Sequence, residues 1–270
     1  MTASRLAAMS AAAGERAASG RVDAVGVEKR FGGVAALRGV SIRVAEGEVV
    51  GLIGPNGSGK TTLLNCLSGV LAPTAGTIEL DGRSISGLPV HRIAALGIVR
   101  TFQNIRLFER LTVRRNVEVS ALAAGRTARA GSAARADELL EQLGLAHFAE
   151  RDAGTLSYGD QRRLEIARAL AANPRFLLLD EPAAGMNEVE SERLREAIEE
   201  IREERSCGIL VVEHDLRLIM RLCERIYVLN EGELISEGSA DDVRRDPAVV
   251  SAYIGEEPPT SETREKGAGR

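Results

Sequence analysis

Apolar residues near the start of the chain follow a pattern typical of β-strands. Two valine-rich stretches, residues 21–31 and 34–44, are separated by a Gly-Gly pair, which predicts two strands joined by a tight turn. A short apolar run at residues 48–54 leads into a glycine-rich loop, and a helical pattern covers residues 60–68. The chain therefore begins with a predicted strand pair and a strand–loop–helix unit. A small strand and a short helix are predicted next, at residues 77–80 and 89–96.

The pattern becomes helical in the middle of the chain. Helical periodicity covers residues 111–122 and again residues 137–143. The stretch between them, residues 125–134, is rich in Gly, Ala and Arg and is interpreted as a loop. These elements predict a helical subdomain inserted at about residues 105–155.

Strands and helices alternate in the second half of the chain. Such alternation implies a largely parallel sheet covered by helices, which is an α/β fold. The apolar runs are far shorter than the roughly 18 residues of a membrane-spanning helix, so none is predicted. The predicted strands are residues 176–180, 208–212 and 225–230, and the predicted helices are residues 160–172, 188–204 and 216–223.

Both ends of the chain lack this periodicity. Residues 1–20 are rich in Ala, and their interrupted apolar stretch is too weak for a signal peptide. Residues 256–270 are polar and contain two consecutive prolines. We therefore predict a disordered tail at residues 1–20, one folded domain at residues 21–255 and a flexible tail at residues 256–270.

Composition excludes one class of function. The 270-residue chain has a formal net charge of −4, and its aromatic residues are five Phe and three Tyr with no Trp. A basic surface with stacking rings is therefore not expected, and no nucleic acid is predicted as a partner. Cys66, Cys207 and Cys223 match no zinc or redox spacing, so we expect reduced, mostly buried thiols.

The glycine-rich loop carries the first chemical signal. It fits the pattern G-x-x-x-x-G-K-S/T between a predicted strand and a predicted helix. Backbone N–H groups of such a loop hold phosphates, while Lys60 neutralises their charge and Thr61 offers its hydroxyl to Mg²⁺. Nearly all other basic residues of the chain are Arg, so a Lys here indicates a need for a compact ammonium group. The predicted nucleotide-binding residues are Gly54, Pro55, Asn56, Gly57, Ser58, Gly59, Lys60, Thr61 and Thr62.

The apolar strand at residues 176–180 leads into two carboxylates, Asp180 as its last residue and Glu181 directly after it. Ligands of parallel sheets lie at the carboxyl ends of the strands, so Asp180 is expected near the metal. Glu181 is one residue further on, where a general base would polarise an attacking water.

A third motif, Leu156-Ser157-Tyr158-Gly159-Asp160, precedes a predicted helix. It resembles the signature motif of ATP-binding-cassette (ABC) ATPases, in which a helix N-terminus presents a Ser hydroxyl and backbone N–H groups to a phosphate. The resemblance implies that Ser157, Tyr158, Gly159 and Asp160 act on the ATP held by a partner subunit.

The same resemblance assigns three further residues. Gln103 resembles the Q-loop glutamine, which would contact Mg²⁺ and the attacking water, and His214 resembles the switch histidine that contacts the γ-phosphate. Phe31 stands where the family places an aromatic ring against adenine. The implied catalytic residues are Glu181, His214 and Gln103, and the implied Mg²⁺ ligands are Thr61, Gln103 and Asp180.

The resemblance covers roughly residues 22–255 and implies a fold. That fold is an α/β P-loop NTPase of the ABC-ATPase type, with a RecA-like core, an antiparallel β subdomain and an inserted helical subdomain. Segments outside the shared catalytic motifs, at residues 81–104, 180–187 and 252–256, are similar to ATP-binding subunits of branched-chain amino acid importers.

Two residues depart from the family pattern. Asp160 stands where the signature motif usually has Gln, which places a negative charge near a nucleotide, and the adjacent Gln161 is a candidate to replace part of that role. Asn187 stands where the family has an Asp at the dimer contact.

The implied function is ATP hydrolysis that powers uptake of branched-chain amino acids. The implied partners are a second ATP-binding subunit, transmembrane permease subunits and, indirectly, a substrate-binding protein, at the cytoplasmic face of the membrane. The alternatives are an ATPase of iron–sulfur assembly and the ATPase subunit of a lipid exporter. A DNA-repair ATPase of this family would need a long coiled coil, and residues 62–156 contain no sustained heptads.

One apolar group after Gln103 has two interpretations. Ile105, Leu107, Phe108 and Leu111 lie among arginines, and such residues on a short connector usually pack internally. Alternatively, some of them remain exposed and form the groove in which a permease docks, as the family resemblance implies.

Overall fold

The computed structural model describes residues 20–123, 129–214 and 216–254. The two predicted tails lie outside the described residues, apart from Gly20. Within the described ranges, no helix combines the length and apolar character needed to cross a bilayer.

The start of the chain forms the predicted strand pair. Strands β1 (Arg21–Phe31) and β2 (Val34–Ala45) are antiparallel neighbours, which confirms the predicted hairpin. Strand β4 (Ala75–Leu80) pairs with the other edge of β1, and the two-residue β5 (Arg83–Ser84) completes a sheet of order β2-β1-β4-β5. Between β2 and β4 the chain forms the predicted strand β3 (Val49–Ile53) and helix α1 (Lys60–Leu67).

A second sheet forms the centre of the molecule. Its strand order is β10-β9-β3-β8-β7-β6, and every neighbouring pair is parallel except β9 and β10. The predicted parallel sheet is therefore confirmed. Its remaining strands are β6 (Ile98–Arg100), β7 (Phe176–Asp180), β8 (Gly208–Val212), β9 (Arg225–Asn230) and β10 (Glu233–Gly238).

Helices cover this sheet. The elements that follow β9 in the chain were not predicted from the sequence. Beside the predicted helices α2 (Val90–Ala95), α6 (Glu188–Arg205) and α7 (Leu216–Leu222), the structure has α8 (Ala240–Arg245) and α9 (Pro247–Ile254). Strands β5 and β6 were missed because two or three residues are too few to show a period. Strand β10 was missed because it lies at the edge of the sheet and none of its residues is fully buried.

The central strand β3 separates two hydrophobic cores. Val50 and Leu52 pack toward the antiparallel sheet and α1, while Val49 and Ile53 pack toward the other helices. Both faces of β3 are buried, as expected for a strand covered on both sides, so its sequence is continuously apolar. This position fixes the loop that follows β3 at the centre of the sheet's carboxyl edge.

Three helices form a layer at one side of the sheet. They are α3 (Val113–Ala123), α4 (Arg129–Gln142) and α5 (Tyr158–Ala171), which share one core through residues such as Val117, Leu139 and Leu164. The predicted loop at residues 125–134 is wrong from residue 129 onward, because the helix already begins there. Ala and Arg favour helix, and Ser132 and Ala136 are buried against the neighbouring helices, so packing outweighs the effect of Gly131.

Candidate active site

The phosphate loop joins β3 to α1, and its backbone conformation requires glycine at two positions. Gly54 has φ 150°, and a Cβ there would lie 2.0 Å from the carbonyl oxygen of Leu229. Gly59 has φ 107°, and a Cβ there would lie 2.7 Å from the carbonyl oxygen of Ala36. Neighbouring backbone therefore occupies the space that any side chain at these positions would need.

The side chains of the loop place polar atoms inside its curve. Lys60 is buried, and its Nζ donates hydrogen bonds to the carbonyl oxygens of Gly54 (2.6 Å) and Pro55 (2.9 Å). Ser58 Oγ is also buried and has no hydrogen-bond partner among the described residues. A buried hydroxyl without a partner is costly, and a phosphate oxygen would supply the missing partner.

The other predicted loop residues border this curve. Asn56 and Gly57 are exposed at the tip of the loop. Thr61 is exposed and Thr62 half-buried in the first turn of α1, where backbone N–H groups lack helical partners. These groups are suited to bind an anion.

Asp180 ends β7 in an ion pair that the sequence did not predict. Its Oδ2 lies 2.7 Å from Arg100 Nη2, and both side chains are almost fully buried. Arg100 also donates a hydrogen bond to Asn65 Oδ1 of α1, so it connects β6, β7 and the helix of the phosphate loop. Asp180 Oδ1 is buried without a partner among the described residues, an arrangement that fits a bound cation or its water.

The Glu181 carboxylate contacts the side chains of two other predicted catalytic residues, Gln103 and His214. Its Oε2 accepts a hydrogen bond from Gln103 Nε2 at 2.9 Å, and its Oε1 lies 3.4 Å from His214 Nδ1. The residues come from the ends of β6, β7 and β8, which are adjacent in the sheet. Glu181 has φ 47°, an unusual backbone conformation for a non-glycine residue and one often found at functional sites.

A second glutamate, missed by the sequence analysis, supports this group. Glu213 is buried at the end of β8 and accepts hydrogen bonds from the backbone N–H of Ala183 (2.7 Å) and of His214 (3.2 Å). It thereby joins the turn after Glu181 to the loop that carries His214. In the sequence, only its position directly before His214 could have indicated that Glu213 belongs to the site.

The signature residues begin helix α5, two residues earlier than predicted. Ser157 is the N-cap residue, and its Oγ accepts a hydrogen bond from the backbone N–H of Asp160. Gly159 is buried, and a Cβ there would lie 2.8 Å from Glu190 Oε1 at the start of α6. Tyr158 is exposed.

The two departures from the family pattern have defined contacts. Asp160 pairs with Arg163, while Gln161 Nε2 donates to the carbonyl oxygen of Leu156 at 3.2 Å. Asn187 caps α6 by accepting a hydrogen bond from the backbone N–H of Glu190 at 3.0 Å.

Helix α5 also holds the segment that carries Gln103. Arg162 is buried, and its guanidinium donates to the carbonyl oxygens of Phe102 (2.6 Å) and Gln103. It also pairs with buried Glu165 at 3.1 Å. Burial raises the pKa of the Glu165 carboxyl, although the positive charge of Arg162 opposes this shift. No sequence pattern identified this contact, because the partners are about sixty positions apart in the chain.

Phe31 lies apart from these groups, at the tip of the β1–β2 hairpin. Its side chain is 47% exposed, and Lys29 Nζ lies 5.3 Å from the centre of its ring. Further along the hairpin, Ala36 contacts the position of Gly59, so the strand pair adjoins the phosphate loop. The exposed Phe31 ring is available for stacking.

Comparison with known families agrees with these features. The family model described as "ABC transporter" matches residues 37–184, and one described as "Branched-chain amino acid ATP-binding cassette transporter" matches residues 233–258. The chain therefore belongs to the ABC transporter family of ATP-binding proteins, whose general activity is ATP hydrolysis.

Curated relatives are similar over most of their length. The high-affinity branched-chain amino acid transport ATP-binding protein BraF of Pseudomonas aeruginosa is 45% identical, over 86% of this chain and 96% of the relative. The corresponding protein LivG of Salmonella typhimurium is 46% identical with the same coverage. The lipopolysaccharide export system ATP-binding protein LptB of Escherichia coli is 38% identical, over 85% of this chain and 95% of the relative.

Solved structures confirm the ABC-ATPase fold. An ATP-binding cassette of an ABC transporter in its ADP conformation superposes with a TM-score of 0.79 and 33% identity, covering 88% of this chain and 99% of the other. A dimeric ATP-binding cassette in a post-hydrolysis state, bound to ADP and phosphate, gives a TM-score of 0.73 and 32% identity, covering 81% of this chain and 98% of the other.

Proposed function

We propose that this chain is the ATP-hydrolysing subunit of a branched-chain amino acid importer, bound to permease subunits at the cytoplasmic face of the membrane. BraF and LivG are named for this transport, and their identity of 45–46% exceeds the 38% identity of LptB. The C-terminal match at residues 233–258 is to a model of the same transport class. The lipid-exporter alternative is therefore less well supported.

The convergence of Glu181, Gln103 and His214 carries the catalytic part of the proposal. The Glu181 carboxylate accepts a proton from the attacking water while the water oxygen bonds to the γ-phosphorus. The bond from the γ-phosphorus to the bridging oxygen breaks, which releases ADP and inorganic phosphate. Gln103 and His214 contact Glu181, and in this proposal they orient the water and the γ-phosphate.

A Mg²⁺ ion would bind between the phosphate loop and the end of β7. The residues that would hold it are Thr61, Asp180 and Gln103, and Asp180 Oδ1 is buried without a hydrogen-bond partner in the part of the chain that the structure describes. When bound, Mg²⁺ neutralises the charge that develops on the phosphate oxygens. Arg100 holds the other oxygen of Asp180 and so fixes the direction of the carboxylate.

A complete site requires two ATP-binding subunits in the proposed arrangement. Ser157, Tyr158, Gly159 and Asp160 would face the ATP held by the partner's phosphate loop, and each chain carries one copy of each motif. Solved relatives include a dimeric cassette. The partner is a second copy of this chain or a related subunit.

The proposed division of the chain remains a single ATPase domain at residues 21–255, with the helical subdomain inserted at about residues 105–155.

The proposed permease site lies between the central sheet and the helical layer. A cavity of about 470 Å³ is bordered there by Arg100, Phe102 and Arg168. Each interpretation of the apolar group after Gln103 holds for a different residue. Leu107 packs against the core, whereas Phe108 is 48% exposed and its ring contacts Arg168. An exposed ring in contact with Arg168, which borders the cavity, is suited to receive a helical segment of a permease.

Glu181→Gln tests the catalytic assignment. The substitution keeps the size of the side chain but removes the base, so turnover should fall by a factor of about 10²–10⁴ while ATP binding persists. The matched control is Glu200→Gln, which removes an exposed carboxylate from α6. Turnover of the Glu181 variant within about tenfold of the unmodified protein contradicts the assignment.

Reconstitution tests the transport assignment. The chain is assembled in proteoliposomes with the permease and binding-protein subunits of its own genome, and uptake of labelled leucine, isoleucine and valine is measured with ATP enclosed. The proposal expects ATP-dependent uptake that Glu181→Gln abolishes. Stable assembly with lipid-export components, without amino acid uptake, contradicts the transport assignment but not the ATPase assignment.

A further inference from the structure

The hydroxyl of Ser157 is hydrogen-bonded to Asp160 in the first turn of helix α5. Ser157 Oγ donates a hydrogen bond to Asp160 Oδ2 at 2.8 Å, and it accepts one from the Asp160 backbone N–H at 3.2 Å. A serine hydroxyl has one hydrogen, so it can donate fully to only one acceptor at a time. In this structure that acceptor is the carboxylate of Asp160.

A nucleotide held by a partner subunit would compete for the same hydrogen. Phosphate oxygens only accept hydrogen bonds, as does an ionised carboxylate, so Ser157 must leave Asp160 before it can donate to a phosphate. A neutral amide at position 160 differs, because its NH₂ group can donate to Ser157 Oγ and leave the hydroxyl hydrogen available. The carboxylate thus opposes the contact that closes the two subunits.

The negative charge of Asp160 is balanced from the same helix. Arg163 contacts Asp160 Oδ1, and the two side chains are only 14–15% exposed. Arg163 also donates a hydrogen bond to the carbonyl oxygen of Leu143 at 2.8 Å, just beyond the end of α4. The carboxylate is therefore fixed in position by the helical layer and is not a freely rotating surface group.

We propose that Asp160 is a positioning residue that holds the Ser157 hydroxyl away from the partner's nucleotide and so weakens ATP-dependent pairing, while Arg163 limits this effect by balancing the charge. This inference rests on the proposed arrangement in which Ser157 acts on the partner's ATP. Asp160 acts through Ser157 and through its charge, and Arg163 acts through Asp160.

The experiment measures the dissociation constant of the ATP-bound pair in the Glu181→Gln background, by sedimentation over a protein concentration series. Asp160→Asn should tighten pairing about tenfold, because a charge-assisted hydrogen bond no longer has to be broken. Arg163→Gln should weaken pairing, because it leaves the carboxylate unbalanced near the phosphates. In a Ser157→Ala background the tightening by Asp160→Asn should largely disappear.

The chain contains a matched control for loss of the helix cap. Ser239 donates to Asp242 Oδ2 at 2.6 Å and accepts from the Asp242 backbone N–H at 3.3 Å at the start of α8, where Asp242 Oδ2 also accepts from the Ser239 backbone N–H at 3.0 Å. Asp242→Asn should lower helix stability by a similar amount without changing pairing. Far-ultraviolet circular dichroism verifies that all variants are folded.

Two results overturn the inference. Unchanged or weaker pairing in the Asp160→Asn variant overturns the role of Asp160 and leaves the cross-subunit arrangement intact. The absence of any ATP-dependent pair, in the isolated Glu181→Gln chain and in the assembled transporter, overturns both proposals together.

Discussion

Replacing Arg162 with Met is expected to destabilise the fold and to release the segment that carries Gln103. Arg162 is buried, and its guanidinium bonds to two carbonyl oxygens of that segment and to Glu165. Met replaces the apolar stem of Arg but carries no charge and no donor. The variant therefore leaves the Glu165 carboxylate buried beside an apolar chain.

The magnitude follows from the burial of the pair. The side chains of Arg162 and Glu165 are 2% and 7% exposed, so solvent screens their interaction weakly. Removing one partner of a buried ion pair typically costs about 3–5 kcal/mol of unfolding free energy. For a domain of this size that corresponds to a fall in Tm of roughly 6–20 °C. Replacing both residues with Met should recover much of the loss, because the Glu165 carboxylate is then no longer left without its partner.

The loss should depend on pH in a defined direction. The folded-state pKa of Glu165 is raised above its ordinary value by burial, and the charge of Arg162 lowers it again. Without Arg162 the pKa rises further, so the folded variant binds its proton more tightly than the unfolded chain does. The stability of the variant is therefore highest below the ordinary pKa of Glu and falls as pH rises through the folded-state pKa. The difference from the unmodified protein should be smallest near pH 5 and larger at pH 8.

Thermal unfolding followed by circular dichroism from pH 5 to pH 8 measures these effects. The matched control is Arg244→Met, which removes an exposed pair of the same spacing, with Asp241, on α8. Exposed pairs contribute about 0–1 kcal/mol, so this control should change Tm little. A fall in Tm below about 2 °C for Arg162→Met, or an equal fall at all pH values, would refute the reasoning.

Two further predictions concern assembly. Phe108→Ala should leave the Tm and the basal ATPase activity of the isolated chain nearly unchanged while reducing co-purification with permease subunits, whereas Leu107→Ala should lower Tm because Leu107 packs against the core. Equal losses of Tm in both variants would contradict the docking assignment. Specific ATPase activity of the isolated chain should rise with protein concentration, because the complete site requires two subunits. A dilution series with constant specific activity would contradict a split site.

Local sequence patterns were sufficient for the centre of the candidate site. The phosphate loop has a fixed spacing and lies between an apolar strand and a helix, and Asp180 is the last residue of another apolar strand. Because parallel strands present their carboxyl ends at one edge, the pattern also placed Asp180 and Glu181 at the ligand-binding edge, whereas His214 was assigned only by the family resemblance. The structure brings Glu181 and His214 into contact, at 3.4 Å between Glu181 Oε1 and His214 Nδ1.

The residues that support this centre depend on tertiary structure. Arg100 binds Asp180, eighty positions away in the chain. Arg162 donates a hydrogen bond to the carbonyl oxygen of Gln103, fifty-nine positions away. Nothing in the local sequence distinguishes these arginines from the many on the surface. Helix α4 shows the same limit, since its start at Arg129 depends on packing against neighbouring helices. Short-range periodicity reports which elements form, whereas buried ion pairs form only after the chain has brought distant charges together, away from water.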